Sequence, residues 1–306
     1  MIQTTNNAQK FFEDEDTPIY IYGAGNVGQW VARFMRKCNM DFVAFIDMEA
    51  QRDTFAMGKK MIHPKHLQLL LGSNPARVVI AITEPYKIIG DLHYYAEQCS
   101  LLCLFPVYKD IFNKPVCHNN RMLAYFRQKL VKAEIPTILC NTCIEGHIYT
   151  ALGEPMLSPT VNAYICPQDF LKLCQAPEKY FSEDMVFDHW RVMAGKTVPA
   201  GRVKDIEALF MYSTNVDDSL TFWNRMREWI QWNNLAYIFQ DIDGVTYEIG
   251  RDFCALPQKH LMVMKGNTYQ TTEWNNVLYV RHNHFHQMND VYENWFDVVG
   301  WINGDF

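Results

Sequence analysis

The segment Tyr22-Gly23-Ala24-Gly25-Asn26-Val27-Gly28 places a Gly-x-Gly-x-x-Gly loop between an apolar run, Ile19 to Tyr22, and an amphipathic stretch with Val27, Trp30, Val31, Phe34 and Cys38 at helical spacing. That setting predicts strand, tight turn and helix in immediate succession. In such a turn Gly23 permits the sharp change of direction, Gly25 lets a phosphate approach the backbone, and Gly28 lets the helix pack close to the strand. Free N–H groups from Asn26 onward then face an anion at the positive end of the helix dipole. A second apolar run, Phe42 to Ile46, ends at Asp47, 24 residues beyond Gly23, about where a carboxylate takes the ribose hydroxyls. Gly23, Gly25, Asn26, Gly28 and Asp47 are therefore the candidate contacts for a nucleotide or nucleotide-sugar, NAD(P) included. The alternative is a strand-turn-helix that keeps the glycines and holds no nucleotide.

The same alternation continues. His63-Pro64 opens a short helix to Leu71, Val78 to Ile82 reads as a buried parallel strand, a helix runs from about Ile88 to Gln98, and Leu101 to Phe105 reads as another strand. We expect a truncated Rossmann-like parallel sheet over residues 1–108, with residues 1–16 as a polar, solvated leader, and a linking helix over 109–132 carrying Met122, Phe126 and Leu130 on one side. A second α/β domain is expected over 133–306. Its strand candidates are Thr137 to Leu139, Val161 to Ile165, Ile206 to Phe210, Leu235 to Phe239, Leu261 to Met264 and Val277 to Val280, with a helix from about Asp217 to Trp232.

Composition narrows the function classes. A formal net charge of −6 with no basic cluster argues against nucleic acid, whose phosphates need a basic stripe. No apolar run approaches the roughly 18 residues that cross a bilayer, and the first residues lack a signal-peptide pattern, so a cytoplasmic location is expected. Nine scattered cysteines fit reduced thiols better than a disulfide framework.

Several residues of the second half carry candidate chemistry. Cys143 lies between a strand and a helix start, where a thiolate is stabilised, and His147 follows four residues on. That is the arrangement of a thiol nucleophile with a base, or with Cys140 a redox pair; the alternative is two sulfurs packed in the core. Asp241-Ile242-Asp243 follows an apolar strand, the place where glycosyltransferases of the nucleotide-sugar fold hold a divalent cation between carboxylates and diphosphate. An Asp-rich turn closed by Gly244 is the alternative. His282, His284 and His286 alternate as ligands on one side of a strand would, or as a solvated edge does. Arg225 and Arg227 stand two apart on a helix, so one can reach a phosphate or carboxylate while the other makes a surface or interdomain pair.

The blocks Asn141-Thr-Cys143-Ile-Glu-Gly146, Ile148-Tyr149, Leu152-Gly153, Ser158-Pro-Thr-Val-Asn162, Asp169-Phe170, Trp223 with Arg225 and Arg227, Asn234-Leu235, Asp241-Ile-Asp243-Gly244 and Phe296-Asp297 occur in order over residues 133–304. In this the chain resembles a bacterial family labelled exopolysaccharide biosynthesis protein, departing from its pattern at Cys140, Thr142 and Glu145. The first half, with Phe45-Ile-Asp47, Gly58 and His63-Pro64, looks like the half-Rossmann unit at the front of several bacterial sugar-modifying enzymes. The resemblances imply a step of exopolysaccharide or capsule assembly, transfer or modification of a sugar, with Cys143, His147, Asp241, Asp243 and Arg225 as catalytic candidates and Asp241 and Asp243 as metal ligands. A nucleotide-sensing module without catalysis and an NAD-dependent oxidoreductase are the rival expectations.

Overall fold

A computed structural model describes residues 1–5, 7–14, 16–82, 88–104, 108–109, 115–116, 124–193, 195–213, 215–242, 244–265, 274–280 and 296–305. It shows a mixed α/β protein whose contacts group into two compact units, residues 1–130 with 151–153, and residues 131–150 with 154–306.

The first unit contains β1 (Ile2–Thr5), α1 (Ala8–Glu13), β2 (Ile19–Tyr22), α2 (Asn26–Lys37), β3 (Phe45–Ile46), β4 (Phe55–Ala56), β5 (Lys59–Ile62), α3 (Leu67–Leu71), β6 (Pro75–Ile80), α4 (Ile88–Tyr95), β7 (Ser100–Leu104), the short antiparallel pair β8 (Tyr108–Lys109) and β9 (Pro115–Val116), and α5 (Ala124–Leu130). Its seven-stranded sheet has the order β1-β7-β6-β2-β3-β5-β4 and is parallel except for β4. In β2, Ile19 and Ile21 join a core with Val31, Met35 and Phe45, while Tyr20 and Tyr22 join another with Leu67, Val78 and Leu92. Both faces are thus covered by helices, which is why these strands are continuously apolar.

Residues 1–16 are not a solvated leader. Ile2–Thr5 adds a parallel edge strand beside β7, and in α1 Phe11 is 0% and Phe12 4% exposed. The buried guanidinium of Arg77 anchors the segment by donating to the Phe11 carbonyl (2.6 Å) and the Thr17 carbonyl (2.9 Å). The polar residues that suggested solvent include Gln9, Lys10 and Glu13, which lie on the exposed side of that docked helix. The helix expected over 109–132 covers only Ala124–Leu130 among the described residues, and Tyr108–Lys109 is extended.

The second unit contains β10 (Thr137–Cys140), α6 (Ile144–Leu152), β11 (Ala163–Ile165), α7 (Pro167–Gln175), α8 (Pro177–Phe181), β12 (Val186–Met193), β13 (Lys196–Val203), β14 (Ile206–Phe210), α9 (Val216–Met226), β15 (Leu235–Gln240), α10 (Tyr247–Cys254), β16 (Lys259–Lys265), β17 (Val277–Val280) and α11 (Val298–Asn303). A parallel sheet runs β10-β15-β16-β17, and an antiparallel sheet runs β11-β14-β13-β12. Phe170, Trp223, Tyr237, Phe239, Phe253 and Met262 form the centre of its core.

Two local expectations change here. The helix expected to Trp232 stops at Met226, followed by a 3-10 turn at Arg227–Trp229, and Ile230 is extended. The hairpin β12–β13 has no counterpart in the sequence reading. Its periodicity is broken by a bulge between Phe187 and His189, by Pro199 within β13, and by β12 lying exposed along nearly its whole length.

Candidate functional site

Because β2 lies between β3 and β6, the chain leaves β2 toward one side of the sheet and later crosses to the other. Crevices at the carboxyl ends of such strands are where α/β proteins bind ligands. The glycine loop occupies that position, and its three glycines are required for different reasons. Gly23 has φ of +101°, and a Cβ there would meet Ile82 Cγ2 at 2.6 Å. A Cβ on Gly28 would lie 1.8 Å from the Gly23 carbonyl oxygen, so only glycine lets α2 start directly over the strand end. Gly25 is unlike both: its φ is −70°, it is exposed, and a Cβ there would meet nothing within 4 Å. The fold makes no demand for glycine at that position.

Gly25 is also the N-cap of α2, and no side chain caps it. Asn26 is exposed beside it. Asp47, half-buried at the end of β3, accepts from the Ala24 N–H through Oδ2 (2.7 Å) and from the Glu49 N–H through Oδ1 (2.9 Å). Each oxygen keeps a second lone pair for a ligand hydroxyl. Beyond Asp47, around the end of β5, opens a cleft of about 900 Å3 whose lining includes Arg52, Lys60, His63, Lys65, His66 and Leu69. Desolvation, then the neighbouring Lys65 and His66, hold His63 below the usual histidine range, favouring its neutral form. This cleft was not foreseen, because its cations are scattered singly over residues 52–66.

At the carboxyl edge of the second unit's parallel sheet the groups are side chains. Asn141, directly after β10, donates through Nδ2 to the Gln240 carbonyl (2.9 Å) and accepts from the Gln240 N–H (2.7 Å), so its amide continues the ladder between β10 and β15. Thr142 donates to Gln240 Oε1 at 2.8 Å. Thr160 accepts from the Cys140 N–H (3.1 Å) and donates to Glu145 Oε1 (2.8 Å), and its hydroxyl lies 2.9 Å from that of Ser158. Glu145 is fully buried, its Oε2 has no partner among the described residues, and desolvation pushes its carboxyl far above the ordinary range. Burial therefore favours its protonated, neutral form.

Cys143 is half-buried with Sγ 3.3 Å from Tyr212 Oη, and His147 is half-buried in α6. Burial pushes the Cys143 thiol above its ordinary value, partly opposed by the Tyr212 hydrogen bond. The direction is opposite to the depression expected from a helix start, because desolvation of the anion outweighs the dipole here. Cys140 is buried, and neither cysteine forms a disulfide among the described residues. Asp241 is fully buried and accepts from the Gly244 N–H (3.0 Å), which is turn chemistry. Asp243 and the triplet His282, His284 and His286 lie outside the described residues.

The two arginines differ in their surroundings. Arg227 donates to the Phe181 carbonyl (3.1 Å) and pairs with Asp184, whereas Arg225 is exposed and lines a separate cleft. On the antiparallel sheet, Asp188, His189 and Glu207 bring potential ligand atoms within 4.8 Å of one another. Arg202 sits 2.6 Å from Asp188 Oδ2 and Arg191 2.5 Å from Glu207 Oε1, so guanidinium charge already balances those carboxylates. Among the described residues no helix is long and apolar enough to cross a membrane.

Comparison with known proteins places residues 114–303 in a family described as a domain of unknown function (DUF1919). An uncharacterized protein of Haemophilus influenzae (strain ATCC 51907 / DSM 11121 / KW20 / Rd) is 28% identical over 178 residues, which is 55% of this chain and 84% of that protein. The matched family segment covers the whole carboxyl-edge network from β10 to β16. This chain belongs to the DUF1919 family.

Proposed function

We propose that the first unit is a Rossmann-like binding domain for a nucleotide or nucleotide-sugar and that the chain serves a step of surface-polysaccharide assembly, the transfer or modification of a sugar. The observation that carries the binding is Gly25, the one loop glycine that neither its backbone angles nor its neighbours require. A vacant Cβ position at the uncapped start of α2 lets a diphosphate reach the backbone N–H groups from Asn26 onward. Asp47 then takes sugar hydroxyls, and the cleft beyond offers Arg52, Lys60 and Lys65 to an anionic portion of the ligand. The polysaccharide context rests on the resemblance of the sequence blocks. Arg225 lies exposed in a separate cleft of the second unit, while a catalytic thiol at Cys143 draws less support, since its burial disfavours the thiolate. Asp241 as a cation ligand likewise draws less support, since it is fully buried and engaged in the turn to Gly244.

Differential scanning fluorimetry with a panel of nucleotides, NAD(P) and nucleotide-sugars tests the reading. A member of the panel raises the melting temperature of the wild type, and Gly25→Val, whose branched side chain fills the approach, abolishes the rise. A panel with no effect on the wild type defeats it. Reduction of bound NAD(P) by the purified protein would instead select the oxidoreductase reading, and binding without turnover of any sugar nucleotide the sensing module.

A further inference from the structure

The edge strand β12 carries more exposed apolar surface than an isolated strand explains. Phe187 is 40%, Trp190 48% and Val192 72% exposed, and the rings of Phe187 and Trp190 meet edge-on with centroids 5.9 Å apart. Between the start of β12 and α9 lies an open cleft of about 760 Å3, with Phe187 on its wall and Asp217, Thr221, Arg225 and Glu228 around it. Asn224 fixes the strand against the helix by accepting from the Met185 N–H (2.8 Å) and donating to the Met185 carbonyl (3.1 Å). Asp184 is held by Arg227. The side chains of Asp217, Thr221, Arg225 and Glu228 make no hydrogen bond or ion pair among the described residues.

We propose that this cleft binds a neutral carbohydrate chain. An aromatic corner beside planar carboxylates, a hydroxyl and a guanidinium is the chemistry that recognises a sugar: the ring face takes the C–H side of a pyranose, and the planar groups take its hydroxyls in pairs. Charge favours a neutral sugar, since two unpaired acids face one unpaired arginine. A second copy of this chain pairing along β12 fits less well. The bulge between Phe187 and His189 breaks the flat edge, and Asp188 and Arg191 are charges of the kind that keep strand edges from joining. This inference does not depend on the glycine loop, which lies in the other unit.

Titration of the full chain with cellohexaose, maltohexaose and laminarihexaose, followed by tryptophan fluorescence and calorimetry, is the test. At least one hexamer saturates the protein, Trp190→Ala and Phe187→Ala each weaken it about tenfold, and Arg225→Ala weakens it several-fold. These positions are exposed, so the variants keep the wild-type melting temperature, and Gly25→Val binds the hexamer unchanged. No saturation by any of the three, or equal affinity in the Trp190 and Phe187 variants, overturns the proposal. So does preferential binding of tetragalacturonate, or a dimer by light scattering that Trp190→Ala dissociates.

Discussion

The carboxyl edges of the two parallel sheets are built from opposite materials. At the end of β2 the polar groups are backbone N–H groups, exposed by glycines, with Asp47 reaching over from β3. At the end of β10 they are side chains, and Asn141, Thr142, Glu145, Ser158, Thr160, Gln240 and Asp241 are all buried. The first arrangement leaves a surface that a ligand can approach. The second closes on itself: Asn141 binds Gln240 as a neighbouring strand would, and Thr160 ties β10 to Glu145. A glycine loop is open until a ligand fills it, whereas an interlocked network has stability tied to every member.

The most severe way to break the contrast is Gly28→Val. The first atom of the new side chain would lie 1.8 Å from the Gly23 carbonyl oxygen, a clash with backbone that no rotamer relieves. A loss above about 3 kcal/mol is expected. Urea unfolding followed in the first unit should show it, and a midpoint near wild type would mean that α2 can slide off the strand end.

Asn141→Ala attacks the other edge. It removes both bonds to the Gln240 backbone and leaves the buried Gln240 N–H without its acceptor, while the Gln240 carbonyl keeps the Ile242 N–H (3.0 Å), at a cost of roughly 1–3 kcal/mol. Amide hydrogen exchange should localise the damage to β10 and β15, with α2 and β2 still protected. Loss of protection in both units would show that the two edges do not respond separately.

The difference between the edges also governs what the sequence disclosed. Gly23, Gly25 and Gly28 stand within six residues of chain, and the positive φ of Gly23 and the contact of Gly28 with the Gly23 carbonyl are local, so strand, turn and helix could be read in place, and Asp47 followed from spacing alone. Gln240 lies 99 residues from Asn141, and nothing in either residue announces the other. Glu145 reads as an ordinary acid of a first helical turn, and only its burial in the fold disfavours the charged form. Tyr212 sits in a loop 69 residues from the thiol it touches. The edge strands at Ile2–Thr5 and Val186–Met193 were missed for a related reason: each is paired on one side and exposed on much of its surface, so neither shows the apolar alternation on which strand reading depends.

Glu145→Gln turns the buried network into a pH experiment. Burial raises the folded-state carboxyl well above its ordinary 4.5, so its contribution to stability is intact below that value and is lost as pH climbs toward the folded one. Over that interval the wild type falls relative to the glutamine variant, which cannot ionise, by about 1.4 kcal/mol per pH unit. Denaturant melts of both proteins from pH 4 to 8 should diverge in that direction, and parallel curves would mean that Glu145 is ionised in the fold.

The smallest stability effect is expected where the functional effect is largest. Gly25→Ala adds a methyl at a position with no neighbour within 4 Å and with φ of −70°, which alanine adopts freely. The expected cost is only the poorer N-cap, under about 1 kcal/mol. A diphosphate seated on the N–H groups of Asn26 and Val27 would nevertheless meet that methyl, so the shift a nucleotide produces in the wild type should shrink sharply in a protein that unfolds almost normally. Gly25→Ser sharpens the comparison, since its hydroxyl can cap α2 and compete with the ligand for the same N–H groups, raising ligand-free stability while weakening binding. If both variants keep full ligand affinity, the open space at Gly25 is not where the ligand lies, and the first sheet's carboxyl edge loses the feature that distinguishes it from the second.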